Sequence, residues 1–484
     1  MIALALALAL SGPSVAAPGT TTGSSPVSRV EADGSNPHPG QNGTLDAWQQ
    51  AYVLAAWRYF ENNFQDSTCL YNSVNDYPST TMWDVASSIA AMVAAYEFEL
   101  IGSVEFDQRM SCLLSSLNKM ELYNGELPNK AYNTITLAKV NYQNEPEDLG
   151  VSAIDLGRLL TWLSIVKNRY PVHAEQIDRF VLRWRFCDMV DRGGSLYGAV
   201  NAKDGEGIVW LQEGRLGYEE YAANGFRLWG FDTEAASRLE PHETERIHGV
   251  RIAYDARDPA TYGAHNYVVT EAFLLGGLEL NWDHPDDPTS SDLWFSDRDA
   301  HTLAKRIYRV QERRFRRTGI LTARTEHQIA GPPYFVYDTI YSDGVEWNTI
   351  ADTGEQFPEL AAVSTKAALG MSVLFDTPYT DKLAAAVMPM LDPGKGLYEG
   401  FYEANGERID TLTANTNAIV LETLLYKVQG KLYRRDVTAT SLWDQVPNGE
   451  YPGNAQCLPG TARDLIESDP RRKGRYEVGR PVAK

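Results

Sequence analysis

Carboxylates recur one turn into segments that are otherwise small and apolar. Asp84 follows Thr81 and Trp83 in the Ala-rich stretch Tyr77–Leu100, and Asp155 follows Ser152 in Gly150–Lys167. The two stretches align without a gap, Ser152 falling on Thr81 and Asp155 on Asp84. Glu219 and Glu220 stand beside Tyr218 at the head of a third such segment, Glu271 follows Thr270 in a fourth, and Asn415 and Asn417 open the last. A first-turn carboxylate gains from the helix dipole, but within an apolar segment it needs a partner or a cavity. Connecting stretches add Glu147, Asp148, Asp338, Asp352, Glu355, Glu399 and Glu403, and the rings Trp83, Tyr142, Trp210, Tyr218, Trp347 and Tyr398 travel with these acids. Paired carboxyls and flat rings are the materials of glycoside hydrolysis. One acid protonates the leaving oxygen, a second activates water or attacks the anomeric carbon, and sugar faces stack on the rings. The expected acid and base are drawn from Glu220, Glu219, Asp148 and Asp84, then Glu271. The expected sugar contacts are Trp83, Tyr142, Trp210, Tyr218, Trp347, Tyr398, Asn415 and Asn417.

Each residue also has a structural reading. Asp84 and Asp155 suit caps or a pairing with Arg158, and of Glu219 and Glu220 one should face inward and the other solvent. Glu271 suits a buried hydrogen-bond anchor, Glu147 and Asp148 a solvated loop, and Asn415 and Asn417 a helix cap.

Other chemistries find little material. GxSxG, HExxH and P-loop patterns are absent, the eight histidines are scattered, and Asp283–Asp287 lacks EF-hand spacing. No metal and no cofactor is expected. A net charge of -20 argues against a duplex nucleic-acid partner. No stretch reaches the ~20 apolar residues of a membrane-spanning helix. Residues 1–17 read as a secretory signal, although no basic residue precedes the apolar run, and 18–44 as a disordered Gly/Ser/Thr/Pro linker. A secreted or periplasmic protein is therefore expected. Four cysteines allow three pairings; Cys69–Cys112, flanking the first apolar helix, is favoured, which leaves Cys187 for Cys457, and four unpaired buried thiols stay open as the alternative.

These residues must be held by about six apolar helices alternating with about six more polar ones. Helices apolar nearly all round belong inside and amphipathic ones outside. Residues 45–430 are thus expected to form an all-α (α/α)6 toroid with long cleft-forming loops, followed by a tail over 431–484. Only Tyr334–Tyr337 reads as a short strand.

The segments AWRYFENNF, TTMWDVASSIAAMVAAYE, SAIDLGRLL, GYEEYAA, GLYEGFYEANG and LTANTNAIVLETLLY together resemble a family of bacterial exported domains of unassigned function. That family is similar in turn to glucoamylase-type toroids and bacterial β-glucanases. The resemblance spans about Leu45 to Gly430 and implies an exported toroid associated with cell-surface polysaccharide. The function expected is a glycoside hydrolase acting on a bacterial or extracellular polysaccharide, with a β-glucan as the leading class. Two alternatives stay open: a non-catalytic glycan-binding protein serving polymer synthesis or export, and a polysaccharide lyase on the same ring. The acidity of the chain argues against a uronate substrate unless the cleft is locally basic.

Overall fold

The computed structural model describes residues 40–434 and 443, apart from 192, 203–206, 214, 239–241, 259–264 and 283–297. The expected signal, most of the linker, nearly all of the tail and the Cys187–Cys457 pairing lie outside the described residues.

Among these residues are twelve α-helices: α1 (Ala47–Asn62), α2 (Met82–Glu97), α3 (Ser103–Lys119), α4 (Ala153–Arg169), α5 (Ala174–Val181), α6 (Tyr218–Arg227), α7 (Glu234–Ser237), α8 (Glu271–Leu280), α9 (Arg298–Thr318), α10 (Thr365–Phe375), α11 (Pro378–Val387) and α12 (Ala414–Gln429). Even-numbered helices are buried almost all round; in α2 every residue from Val85 to Ala95 is buried. Alanine, serine and valine there let neighbouring backbones approach. At the α4–α6 contact the approach demands glycine, since a Cβ on Gly225 would lie 1.9 Å from the Gly157 carbonyl oxygen. Thr81, Ser152, Ser364 and Thr413 cap α2, α4, α10 and α12, each side chain accepting the N–H three residues on.

The buried helices contact one another in a cyclic order. α2 packs on α4, α4 on α6, α6 on α8, α8 on α10, α10 on α12, and α12 returns to α2. Each odd-numbered helix lies against one of them: α1 on α12, α3 on α2, α5 on α4, α7 on α6, α9 on α8 and α11 on α10. The Cys69–Cys112 disulfide is formed, with Cα atoms 5.7 Å apart, and ties the chain before α2 to α3. From the tail, Trp443 donates its indole N–H to the Trp229 carbonyl.

The fold is helix-rich but not all-α, which corrects the sequence expectation. Short antiparallel sheets gather beside the starts of the buried helices. Ser79–Thr81 pairs with Ala131–Asn133 and runs into α2. Ala362–Ser364 pairs with Gly396–Tyr402, which also pairs with Arg408–Leu412, and these lead into α10 and α12. Glu326–Gln328, Phe335–Asp338 and Thr349–Ile350 form another sheet. Most of these strands have two to seven residues, too short to show a period of two in the sequence.

Candidate functional site

The first turns of the buried helices bring several of the expected residues together. Asp84 and Asp155 occupy equivalent places on α2 and α4, each within reach of its own N-cap hydroxyl: Thr81 Oγ1 lies 3.1 Å from Asp84 Oδ2, and Ser152 Oγ 3.2 Å from Asp155 Oδ1. Neither reaches an ion pair with Arg158, contrary to the structural reading of the sequence. Arg158 turns deeper into the ring, donating to Asn415 Oδ1 at 3.0 Å and to Glu422 at 2.8 Å. Its guanidinium lies 4.7 Å from the centre of the Trp83 ring, and the Trp83 N–H shares the Asn415 oxygen at 3.2 Å. The Asn415 amide donates to Glu271 at 2.7 Å, and Glu271 pairs with Lys366 of α10.

Lys366 is the electrostatic hub. Asp84, Glu326 and Glu399 all feel its positive charge, as well as Glu271. Burial opposes the charged form of this ammonium, but Glu271, Glu399 and Glu326 outweigh it and hold its pKa above the ordinary value. Burial raises Asp84, while the Ser73 and Thr81 hydroxyls, Arg158 and Lys366 pull it back. Asp84 Oδ1 is buried without a hydrogen bond of ordinary geometry among the described residues. Burial and the neighbouring Glu213 push Asp155 up to about 7. Burial and the charge of Glu271 push Glu326 up to about 8, and the Tyr218 hydroxyl donates to this same carboxyl.

Trp83 and Tyr218 stand 6.0 Å apart beside this cluster. Tyr142 is 58% exposed and borders Asp155 and Arg215, whose charges act on its hydroxyl. Tyr267 and Tyr337 stack at 3.7 Å with Arg215 against both rings. Farther down the ring, Glu279 of α8 and Glu422 of α12 approach each other; burial raises both, with Arg158 pulling the other way. Glu279 accepts from Trp162 at 2.8 Å and Tyr221 at 2.7 Å.

Other expected site residues are held elsewhere. Glu219 is buried and accepts from the Gln212 amide at 2.9 and 3.0 Å, so it fastens the hairpin of Tyr197–Asn201 and Ile208–Gln212. Glu220 folds back and accepts the Gly217 N–H at 2.6 Å, satisfying a backbone donor at the head of α6. Asp148 pairs with Lys139 at 2.5 Å in the connection before α4. Asn417 spends its amide on Leu397 and Thr413, pinning a strand to α12. Tyr398 lies under Arg408 at 3.9 Å, and Trp347 lies against Arg314 and Arg324. Trp210 is a half-buried residue of the 208–212 strand, opposite Ala199. Among the loop acids, Asp338 and Glu403 clamp Arg324.

Sequence reasoning passed over Glu326, Glu213, Arg215, Lys366, Glu279 and Glu422. Three of them carried a usable signal: Lys366, Glu279 and Glu422 are charges set among apolar residues inside buried helices.

A family model described as a protein of unknown function (DUF3131) matches residues 51–430, nearly the whole of the helical frame. No functionally curated protein matches the chain. Among solved structures, a presumed glucoamylase from Bacteroides caccae superposes with a TM-score of 0.58 at 13% identity, over 80% of this chain and 94% of its own. The endo-β-1,2-glucanase of Chitinophaga pinensis, in complex with sophorotriose and glucose, gives 0.55 at 12% identity over 80% and 94%. A mutant endo-β-1,2-glucanase from Talaromyces funiculosus, in complex with β-1,2-glucan, gives 0.52 at 10% identity over 80% and 84%. At these identities the likeness establishes a glycoside-hydrolase-like fold.

Proposed function

We propose that this chain, which belongs to the DUF3131 family of proteins of unknown function, is a glycoside hydrolase built on an (α/α)6 toroid and acting on a bacterial or extracellular polysaccharide of the β-glucan class. The observation that carries this reading is that two carboxyls, Glu326 and Asp84, both feel the charge of Lys366, which is itself paired with Glu271. Glu326, raised to about 8, keeps its proton at neutral pH and is the general acid. Burial raises Asp84 on balance, while the Ser73 hydroxyl, Arg158 and Lys366 oppose that rise, and this carboxyl takes the role of base or nucleophile. Trp83, Tyr142 and Tyr218 supply the faces on which sugar rings rest. Asn415 is a positioning residue, since it holds Trp83 and Glu271 in place at once.

The disulfide supports an oxidising compartment, and hence a secreted or periplasmic site of action. The neighbours named as β-1,2-glucanases make β-1,2-glucan the first substrate to try.

The test is release of reducing ends from a panel of glucans, beginning with β-1,2-glucan, by wild type, E326Q and D84N. Wild type should cleave at least one glucan, and each substitution should lower turnover roughly 10²- to 10⁴-fold while glycan binding persists. Binding of glycans without release of ends by wild type would identify a glycan-binding protein instead. Products absorbing as unsaturated sugars would identify a lyase.

A further inference from the structure

Glu279 of α8 and Glu422 of α12 are fully buried and take no part in the proposed hydrolysis. They lie within hydrogen-bonding reach of each other. The helices around them bring one cation. From α4 come Arg158, which bonds Glu422 at 2.8 Å, and the neutral Trp162, whose N–H reaches Glu279 Oε1 at 2.8 Å. From α6 comes the Tyr221 hydroxyl, 2.7 Å from Glu279 Oε2. Toward the cleft stand Asp84 of α2, Glu271 of α8 and Lys366 of α10, the last two paired with each other. Toward the far helix ends, Arg169 of α4 is paired with Glu97 of α2. Two carboxyls thus share one guanidinium, and Glu422 Oε2 is buried without a hydrogen bond of ordinary geometry among the described residues.

A buried carboxylate without a counter-charge is far costlier than a neutral carboxyl. Arg158 answers one negative charge, so the pair keeps one proton, and a proton between the facing oxygens gives Glu422 Oε2 the partner it lacks. Losing that proton leaves two negative charges before one guanidinium. On its other side Arg158 is held by a neutral amide oxygen, Asn415 Oδ1 at 3.0 Å. Attraction to a second carboxylate outweighs that neutral bond and draws the guanidinium inward. Asn415 Oδ1 also takes the Trp83 N–H at 3.2 Å, and the guanidinium itself lies 4.7 Å from the centre of the Trp83 ring. A shift of Arg158 therefore reaches this ring by two routes.

We propose that Glu279 and Glu422 are positioning residues of the glycan site: they hold one proton between them, and its loss draws Arg158 off Asn415 and loosens Trp83. The inference rests on the glycan-cleft reading given above and adds to it a pH dependence of glycan binding set from within the ring.

Calorimetric titration with β-gluco-oligosaccharides of each linkage, β-1,2 first, compares E326Q with E326Q/E279Q at stepped pH. The E326Q background keeps both turnover and the Glu326 proton out of the comparison. The amide introduced by E279Q stands in for the protonated carboxyl and has no proton to lose. E326Q should lose affinity about tenfold for each pH unit beyond the point where the pair gives up its proton, whereas E326Q/E279Q should keep its low-pH affinity. Asp155 titrates in both proteins, so its effect divides out of the ratio of their affinities. Y221F in the E326Q background removes a donor that favours the ionised form of Glu279, and should move the fall to higher pH. It keeps the test decisive if E279Q fails to fold. A ratio constant with pH, or a fall that Y221F leaves in place, overturns the inference while the glycan reading stands. If no oligosaccharide binds either protein, the glycan reading fails and this inference falls with it.

Discussion

Arg158 and Glu422 meet at 2.8 Å with neither side chain exposed to solvent at all. The pair joins α4 to α12 across the inside of the ring, and Arg158 also acts on the Glu279 carboxyl below and bonds Asn415 above. Arg158→Met removes the cation and leaves the Glu279–Glu422 carboxyls facing each other without one. Breaking a buried pair in this way costs about 3–5 kcal/mol. Denaturant titration should show a loss of this size, and a loss below about 1 kcal/mol would show that the carboxyls do not depend on Arg158.

Glu326 makes a prediction about rate. As the proposed general acid it must carry its proton, and burial beside Glu271 raises it to about 8. Hydrolysis should therefore decline as pH rises through about 8. Replacing Tyr218 by Phe removes the hydroxyl that donates to the Glu326 carboxyl, an interaction that favours the ionised form. The alkaline limb of Y218F should accordingly move to higher pH. A limb that stays in place when measured on the same substrate would separate Glu326 from the rate.

Asp155 makes a prediction about stability. Its pKa rises from 3.8 to about 7 in the folded chain, through burial and Glu213. Between those values the folded protein holds a proton that the unfolded chain has released. The stability this group contributes is thus full below about pH 3.8 and is lost as pH rises to about 7. D155N has no proton to lose at this position. Its stability relative to wild type should improve steadily across that window and level off above it, as followed by chemical denaturation at stepped pH. A relative stability independent of pH would refute the shift.

Gly225 tests the ring itself. Any Cβ there would meet the Gly157 carbonyl oxygen at 1.9 Å, and backbone cannot give way as a flexible side chain does. Gly225→Ala must push α6 from α4, an overpacking that costs about 1–3 kcal/mol or more. The melting temperature should fall well below wild type, although alanine is the better helix former by ~1 kcal/mol. A rise in melting temperature would mean that the two helices do not touch there.

The helical frame was legible because it repeats. The Thr81–Asp84 and Ser152–Asp155 pairs share a cap and a spacing, and both caps form as that spacing implies. The site was less legible because which way a residue points depends on a rotation that composition does not show. Asn415 and Asn417 look alike in sequence, yet two residues along a helix turn side chains about 200° apart. One reaches Glu271 and the other a strand on the far side. Glu219 and Glu220 divide in the same way between a hairpin and a cap. Glu326 and Arg215 were hidden for another reason: a three-residue strand and a turn bring them to the cleft, and such short elements leave no periodic trace.

The return of α12 to α2 has a kinetic meaning. The Trp83–Asn415 bond joins residues 332 positions apart, so the chain between them must be brought into place before that contact forms. Contacts of such separation carry a large loop-closure entropy and form late. The segment holding Asp84 therefore emerges during synthesis long before the neighbour that steadies Trp83 beside it. A partly made chain has an apolar α2 with one flank uncovered, a species prone to aggregate until α12 arrives.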